Sequence, residues 1–305
     1  MEVPSGRASV TSPGPLVRND VTFGTDGTTG AQRIRRAFTA AREAGRIALI
    51  PYVVAGYPDA IASLSVALAA ADAGADLLEI GLPYSDPLAD GATLQRASAT
   101  ALRNGATLER SLELVARLHA ARPELPVVPM AYLNQILGGA DPEARLHVLA
   151  EAGASGLILA DLTPDEGAPL ELVARAAGLA LVYLVTPTTI PERRARIAAR
   201  SGGFLYAVSL VGVTGARPAL PAQVSRFLRE VRAVAPLPVA VGFGISRPAH
   251  VRRLAAVADG IIVASALVDA LGPEGRDVAA MSRLVARLAA ATGPSSPRRR
   301  AGSRR

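Results

Sequence analysis

An apolar segment at residues 76–91 contains a carboxylate that could do acid or base chemistry. The segment reads DLLEIGLPYSDPLADG, and Glu79 lies in the middle of its apolar half. Burying an ionised carboxylate without a partner is costly, and the pKa of such a group rises until the neutral acid is favoured. Glu79 is therefore either a charge-paired core residue or an acid and base with a pKa set by its surroundings.

Two aspartates follow Glu79 in the same segment. Asp86 and Asp90 lie next to Pro87 and Gly91, and aspartate beside proline or glycine commonly forms turns. An inward glutamate near a loop aspartate could also divide acid and base work between two carboxyl groups. The same oxygens could instead bind Mg²⁺, and the sequence leaves that alternative open.

The segment belongs to a series of eight short apolar runs that alternate with amphipathic stretches. The runs are ALIPYVVA (48–55), DLLEIGLP (76–83), PVVPMAY (126–132), GLILAD (156–161), LALVYLV (179–185), GFLYAVS (203–209), LPVAVGFG (237–244) and GIIVAS (260–265). Stretches such as DAIASLSVALAAADAGA predict helices between them, several ending in glycine. Eight strands alternating with helices over roughly 220 residues fit a (β/α)8 barrel. An open doubly wound sheet is the alternative, although its glycine-rich dinucleotide fingerprint is missing.

Alternation along the second run predicts that Glu79 points into the barrel, because successive side chains of a strand face opposite sides. One face carries Leu77, Glu79 and Gly81, and the other carries Leu78, Ile80 and Leu82. The aliphatic face suits the surrounding helices. Gly81 would leave space for a ligand beside Glu79. Chemistry in this fold lies at the C-terminal ends of the strands, and the long segments after the second and sixth runs are predicted lid or binding loops.

Glycine-rich segments after the last three runs predict a phosphate site. GVTG ends at Gly215, GFGIS contains Gly244, and Ser265 starts a short helix after the eighth run. Loops after the seventh and eighth strands, together with a helix N-terminus, are the recurring phosphate site of such barrels. The sequence contains no lysine, so backbone N–H groups would carry most of the binding.

Composition excludes several other chemistries. The chain has no cysteine, and all 33 basic residues other than histidine are arginine. Disulfides, thiolate metal sites, Schiff bases and covalent attachment of pyridoxal phosphate are therefore excluded for this chain. The three histidines, His119, His147 and His250, are far apart in helical patterns. We expect them at surface positions, and no metal cluster.

The two ends differ in composition from the region between them. Residues 1–30, rich in Gly, Ser, Thr and Pro, predict a disordered extension; 31–292 predict the catalytic barrel, and 293–305 a basic disordered tail. The segment SPRRRAGSRR supplies five of the seven net positive charges, so we expect no nucleic-acid binding. No run is long enough to span a bilayer and no signal peptide is evident, so we expect no membrane association and a cytoplasmic location.

With these motifs placed, the sequence resembles the tryptophan synthase α chain family from about Arg33 to about Leu288. The motifs IPYVVAGYPD, EIGLPYSDPLADG, LYAVSLVGVTGAR, GFGIS and ASALV occur in the family order. The resemblance implies a single (β/α)8 TIM barrel with an extra N-terminal helix. It also implies retro-aldol cleavage of indole-3-glycerol phosphate to indole and glyceraldehyde 3-phosphate in tryptophan biosynthesis.

The resemblance further implies a role for each site residue. Glu79 would be the general acid and base, Asp90 would hold the indole N–H, and Tyr206 would help to position Glu79. The implied substrate contacts are Tyr52 and Tyr132 at the indole, Thr214 on the lid loop, and Gly215, Gly244 and Ser265 at the phosphate. The implied contacts with a partner β chain are Asp86 and Asn134.

The resemblance implies no cofactor or metal in this chain, because pyridoxal phosphate belongs to the β chain of an α2β2 tetramer. Val54 and Ala264 stand where threonine and glycine are usual in the family. Three alternatives stay open: a free-standing indole-3-glycerol phosphate lyase, a non-catalytic barrel that activates a β chain, and a phosphosugar isomerase or epimerase.

Overall fold

The computed structural model describes residues 29–138, 141–208, 222–242 and 244–293. Within them lie nine parallel strands, which form one sheet. The strands are β1 Ala48–Val54, β2 Leu78–Gly81, β3 Val127–Ala131, β4 Gly156–Leu159, β5 Ala180–Val182, β6 Leu184–Val185, β7 Leu205–Val208, β8 Val239–Gly242 and β9 Gly260–Val263. Their order in the sheet is β5-β4-β3-β2-β1-β9-β8-β7-β6. Helices surround this sheet, so the fold is the predicted (β/α)8 barrel and not an open doubly wound sheet.

The helices follow the strands in alternation, with two helices in some of the connections. Across the described ranges they are α1 Gly30–Glu43, α2 Ala60–Asp72, α3 Ala92–Arg103, α4 Leu108–Ala121, α5 Leu133–Leu137, α6 Pro142–Glu151, α7 Pro164–Ala176, α8 Pro191–Arg200, α9 Ala222–Val234, α10 Pro248–Leu254, α11 Ser265–Ala270 and α12 Val278–Ala289. None of the helices in this part of the chain is long and apolar enough to cross a membrane.

The fifth apolar run closes the barrel by changing partners in its middle. Its first half, β5, pairs with β4, and its second half, β6, pairs with β7. Tyr183 lies between the two halves, and its carbonyl oxygen accepts a hydrogen bond from the Tyr206 N–H at 3.1 Å. The eight predicted runs are therefore confirmed, and one of them contributes two strands because a single residue interrupts its ladder.

The extra N-terminal helix closes the end of the barrel opposite to the C-terminal ends of the strands. Ile34 and Phe38 of α1 are buried in the same cluster as inward side chains of the strands. The Phe38 and Phe204 rings lie 5.7 Å apart. Gly30, at the first turn of α1, touches the Ser155 carbonyl so closely that a Cβ atom would overlap it. The helix is thus an integral part of the core, as the predicted fold required.

Local sequence signals explain where many of the helices begin and end. The Asp59 carboxylate accepts hydrogen bonds from the first N–H groups of α2, and Asp141 does the same for α6. Such N-caps satisfy N–H groups that have no partner inside the helix. Gly74 and Gly153 follow α2 and α6 with φ of 109° and 90°, a conformation that favours glycine. The predicted glycine-terminated helices are confirmed.

Most of the two predicted disordered tails, residues 1–28 and 294–305, lies outside the described residues. So does most of the predicted lid loop after the sixth run, residues 209–221, which includes Thr214 and Gly215.

Candidate active site

Glu79 lies on the inner face of β2 and is almost completely buried, with 1% of its surface exposed. Leu77 packs in the cluster inside the barrel, whereas Leu78 and Ile80 pack in the cluster between strands and helices. The orientation predicted from strand alternation is therefore confirmed. Neither carboxyl oxygen of Glu79 has a hydrogen-bond partner among the described residues.

The surroundings of Glu79 strongly favour its neutral form. Burial raises its pKa to about 8, and the charge of Asp90 adds to this increase. Burial also raises the pKa of Asp90, to about 6. Near pH 7 the site therefore contains a protonated glutamic acid close to an ionised aspartate. Two carboxyl groups with separated pKa values are the usual basis for dividing acid and base roles.

The raised pKa of Glu79 predicts that its presence destabilises the fold as pH rises. The unfolded chain loses this proton near pH 4.5, whereas the folded chain keeps it up to about pH 8. Between these values the unfolded state binds fewer protons, so the free energy of unfolding falls by up to about 1.4 kcal/mol per pH unit. Below the window the contribution is zero, and above it the loss is complete. We therefore expect urea unfolding to show that the stability of Glu79→Gln relative to the parent chain increases with pH across this window. The same dependence of the unfolding free energy on pH in both chains would contradict the raised pKa.

Two buried tyrosines flank Glu79 on the inner face. Tyr52 of β1 is paired in register with Glu79, and Tyr206 of β7 lies in the inner cluster. Burial raises the pKa of both phenols well above their usual value, and the charges of Asp90 and Glu79 contribute. Both groups therefore remain neutral hydroxyls that can donate hydrogen bonds.

Each of these rings lies over a glycine of the neighbouring strand. A Cβ atom on Gly81 would overlap the hydroxyl of Tyr52, and one on Gly242 would lie 2.6 Å from the hydroxyl of Tyr206. The prediction that Gly81 leaves space for a ligand is therefore wrong. The Tyr52 phenol occupies that space, because the parallel register places Tyr52 two residues before the position opposite Gly81.

Gly81→Ala is expected to displace the Tyr52 ring and to damage both stability and activity. Overpacking of a dense core typically costs about 1–3 kcal/mol. Chemical unfolding of Gly81→Ala should show a loss of this size. Gly293→Ala is the matched control, since a Cβ atom there would make only an ordinary van der Waals contact, 3.7 Å from the Arg46 Cβ, and the residue lies outside the helices and strands. Equal unfolding free energies for the two variants would show that Tyr52 does not need the space over Gly81.

Asp90 is held at the end of the loop between β2 and α3. Its N–H donates to the Pro87 carbonyl at 3.0 Å, and its own carbonyl accepts from the Gln95 side chain at 2.9 Å. The preceding residue, Ala89, donates its N–H to the Tyr132 hydroxyl at 2.9 Å. Tyr132 thus connects the strand-two loop to the end of β3. Burial and, to a smaller extent, the charge of Asp90 raise the pKa of the Tyr132 hydroxyl.

Apolar side chains complete the inner wall near the mouth of the barrel. Met130 of β3 and Leu184 of β6 are partly buried against the inner cluster, and Ile158 of β4 is fully buried there. None of these three residues was among the site residues predicted from the sequence. Alternation along the third run places Met130 on the face of Val128, so the same signal that oriented Glu79 could have found it.

Gly244 and Ser265 lie beyond the C-terminal ends of neighbouring strands. The register pairs Val241 of β8 with Ile261 of β9, and the two residues follow these positions by three and four places. Gly244 has φ of 72° and is exposed, so only glycine adopts this turn readily. Ser265 is the exposed first residue of α11.

The two departures from the family pattern lie close to this region and to Tyr52. Val54, which is 2% exposed, belongs to the same buried cluster as Tyr52. Ala264 is partly buried against that cluster. Both side chains are therefore accommodated by apolar packing near the mouth of the barrel.

The residues expected at a protein partner lie on the surface beside the site. Asp86 and Asn134 are exposed, and Asn134 donates its side-chain N–H to the Tyr84 hydroxyl at 3.3 Å. Two large apolar residues near them are also exposed: Leu88, in the loop between β2 and α3, by 91%, and Leu137, the last residue of α5, by 45%. These leucines were not predicted as contact residues, since the sequence around a leucine does not show whether its side chain is exposed.

All three histidines lie in helices, as predicted, but not all of them lie at the surface. His119 lies in α4, His147 in α6 and His250 in α10. His250 is only 5% exposed, so its surface prediction is wrong. The described residues contain no group of three or more His, Asp or Glu side chains that could hold a metal ion.

Comparison with known proteins adds a family to this geometry. Residues 38–293 match the family model described as tryptophan synthase alpha chain. The chain is 50% identical over 250 residues to the tryptophan synthase alpha chain of Roseiflexus sp. (strain RS-1), covering 81% of this chain and 95% of the relative. It is 45% identical over 256 residues to the alpha chain of Deinococcus radiodurans (strain ATCC 13939), covering 83% and 93%.

A solved structure supports the same relationship. Mycobacterium tuberculosis tryptophan synthase in space group F222 superposes with a TM-score of 0.79 at 38% identity, covering 85% of this chain and 98% of the matched chain.

Proposed function

Because the chain belongs to the tryptophan synthase alpha chain family, we propose that it cleaves indole-3-glycerol phosphate with Glu79 as the proton donor and acceptor. The observation that carries this assignment is the burial of Glu79, which raises its pKa to about 8, beside Asp90. A carboxylic acid of this pKa is protonated at neutral pH and can both give and take a proton.

The reaction begins with proton transfer from Glu79 to C3 of the indole ring. This step creates a cationic indolenine and leaves Glu79 as a carboxylate. The carboxylate then takes the proton of the side-chain hydroxyl on the adjacent carbon. The bond between C3 and that carbon breaks, and its electron pair restores the indole. The aldehyde leaves as glyceraldehyde 3-phosphate, and Glu79 returns to its protonated form.

Asp90 stabilises the charge that develops on the ring. Its carboxylate accepts a hydrogen bond from the indole N–H, and this bond strengthens as the ring becomes cationic. The pKa of about 6 means that most Asp90 is ionised at neutral pH. The Ala89–Tyr132 hydrogen bond and the Gln95 contact hold its loop in place, so the charge is preorganised.

The tyrosines and the apolar wall position the substrate. Tyr206 lies on the inner face near Glu79, and its neutral hydroxyl orients the carboxyl group and the substrate. Tyr52 and Tyr132 line the indole pocket, with Met130 and Leu184 as apolar neighbours.

The substrate phosphate binds at the loops after the last strands. Gly244 and Ser265 offer backbone N–H groups beyond the ends of the adjacent strands β8 and β9. The resemblance to the family also assigns Gly215 to phosphate binding and Thr214 to the lid loop; both lie outside the described residues. With no lysine in the chain, backbone donors carry most of the anion binding.

A β chain docks at the surface formed by the loops after β2 and β3. Asp86 and Asn134 offer polar contacts there, and Leu88 and Leu137 offer exposed apolar area. Exposed apolar side chains beside polar residues suit a protein interface. The assembly is an α2β2 tetramer in which pyridoxal phosphate belongs to the β chain.

The catalytic unit comprises residues 31–292 and uses no cofactor of its own. The indole ring accepts the electrons released by C–C cleavage once C3 is protonated. No Schiff base is then needed, which agrees with the absence of lysine from the sequence.

Indole release from indole-3-glycerol phosphate, with and without a purified tryptophan synthase β chain, tests this function. We expect slow release by the chain alone and a sharp increase when β is added. Fast release that does not respond to β would indicate a free-standing lyase. No release under either condition would contradict the proposed reaction.

A further inference from the structure

His250 is a buried imidazole beside the loop that carries Gly244. Its Nδ1 accepts a hydrogen bond from the Ser246 N–H at 3.4 Å, and only 5% of its surface is exposed. In the described ranges its other ring nitrogen, Nε2, has no hydrogen-bond partner.

These contacts indicate which tautomer the His250 ring adopts. Because Nδ1 accepts the hydrogen bond from the Ser246 N–H, the ring proton lies on Nε2. A buried N–H without a partner is unfavourable, and an aliphatic side chain of similar size would avoid it. The acceptor at Nδ1 is therefore what the imidazole adds at this position beyond packing.

The hydrogen bond ties the turn after β8 to α10. Arg247, the residue before α10, provides no side-chain cap. Ile245 anchors the turn through its buried side chain, and Ser246 anchors it through the His250 ring. These two anchors follow Gly244, whose φ of 72° sets the direction of the chain.

We propose that His250 is a positioning residue for the substrate phosphate. Its Nδ1 holds the Ser246 N–H and thereby keeps the turn at Gly244 in the orientation in which its backbone faces the phosphate. His250 itself does not touch the substrate. This inference rests on the proposed function, because it assigns Gly244 to the phosphate site.

Three variants test this role by steady-state kinetics and by inhibition with glycerol 3-phosphate. His250→Leu removes the acceptor, and His250→Asn places an amide oxygen close to the position of Nδ1. His119→Leu is the control. His119 is a partly buried histidine near the end of α4, in the connection between β2 and β3, and like His250 it has one ring nitrogen without a partner among the described residues.

We expect His250→Leu to raise the KM for indole-3-glycerol phosphate about tenfold, and the inhibition constant of glycerol 3-phosphate by the same factor. The kcat should change less than about threefold. His250→Asn should stay within about threefold of the parent chain in all three quantities. The His119→Leu control should leave phosphate affinity unchanged. Parent-like affinity in His250→Leu, or equal losses in the leucine and asparagine variants, would overturn the proposal.

A measurement on the unmodified chain tests the proposal even if His250→Leu fails to fold. The chain has only three histidines, so ¹⁵N-histidine labelling gives a simple NMR spectrum of the rings. We expect His250 as the Nε2–H tautomer, and we expect glycerol 3-phosphate to shift its signals but not those of His119. The opposite tautomer, or saturating ligand without a shift at His250, would overturn the role of His250. Absence of indole release by the parent chain would instead overturn the proposed function.

Discussion

Glu79→Gln is expected to lower kcat for indole release by about 10³-fold. Glutamine has nearly the same shape as glutamic acid, but it can neither protonate C3 of the indole nor accept the hydroxyl proton. Both proton transfers of the proposed mechanism are therefore lost together. The rate of indole formation at saturating indole-3-glycerol phosphate measures this loss.

Substrate binding and folding are the controls for Glu79→Gln. The inhibition constant of glycerol 3-phosphate should be unchanged, because the phosphate site lies after β8 and β9, away from the carboxyl group. The variant should also be at least as stable as the parent chain at pH 8, since it lacks the buried acid. A Glu79→Gln variant that retains more than about a tenth of the parent kcat would exclude Glu79 as the proton shuttle.

Asp90→Asn is expected to lower kcat by about 10²-fold, a typical loss when one preorganised electrostatic partner of a transition state is removed. The amide can still accept a hydrogen bond from the indole N–H, but it does not carry the charge that stabilises the cationic ring. Single-turnover cleavage of indole-3-glycerol phosphate measures the effect on the chemical step.

A second consequence separates loss of charge from damage to the loop. The charge of Asp90 contributes to the raised pKa of Glu79, so Asp90→Asn should lower the pKa of Glu79. The fall of activity at alkaline pH should then begin at a lower pH in this variant than in the parent chain. A variant with parent-like kcat would remove Asp90 from the chemistry.

Strand alternation was sufficient to predict the centre of the site. Leu78, Ile80 and Leu82 form an aliphatic face, and this pattern alone placed Glu79 inside the barrel, where the structure has it. The eight apolar runs predicted the barrel because buried parallel strands are apolar on both faces. These features are local in sequence and could therefore be read from it.

Contacts between strands and between distant loops could not be predicted in this way. The Tyr52 ring fills the space over Gly81 because of the register between β1 and β2, which the sequence does not specify. The burial of His250 depends on how α10 packs behind the turn at Gly244. The split of the fifth run at Tyr183 depends on which neighbour each half pairs with. Each of these features is set by tertiary packing.

The central claim is that protonated Glu79 is the active form, and the pH dependence of kcat/KM for indole release tests it most directly. Tyr52 and Tyr206 have pKa values raised well above their usual value, so they do not titrate near pH 8. The substrate phosphate and Asp90 both titrate near pH 6. A change of kcat/KM at alkaline pH is therefore assigned to Glu79. The account predicts that kcat/KM falls as pH rises through about 8. A kcat/KM that stays constant or increases from about pH 7 to pH 10 would contradict it.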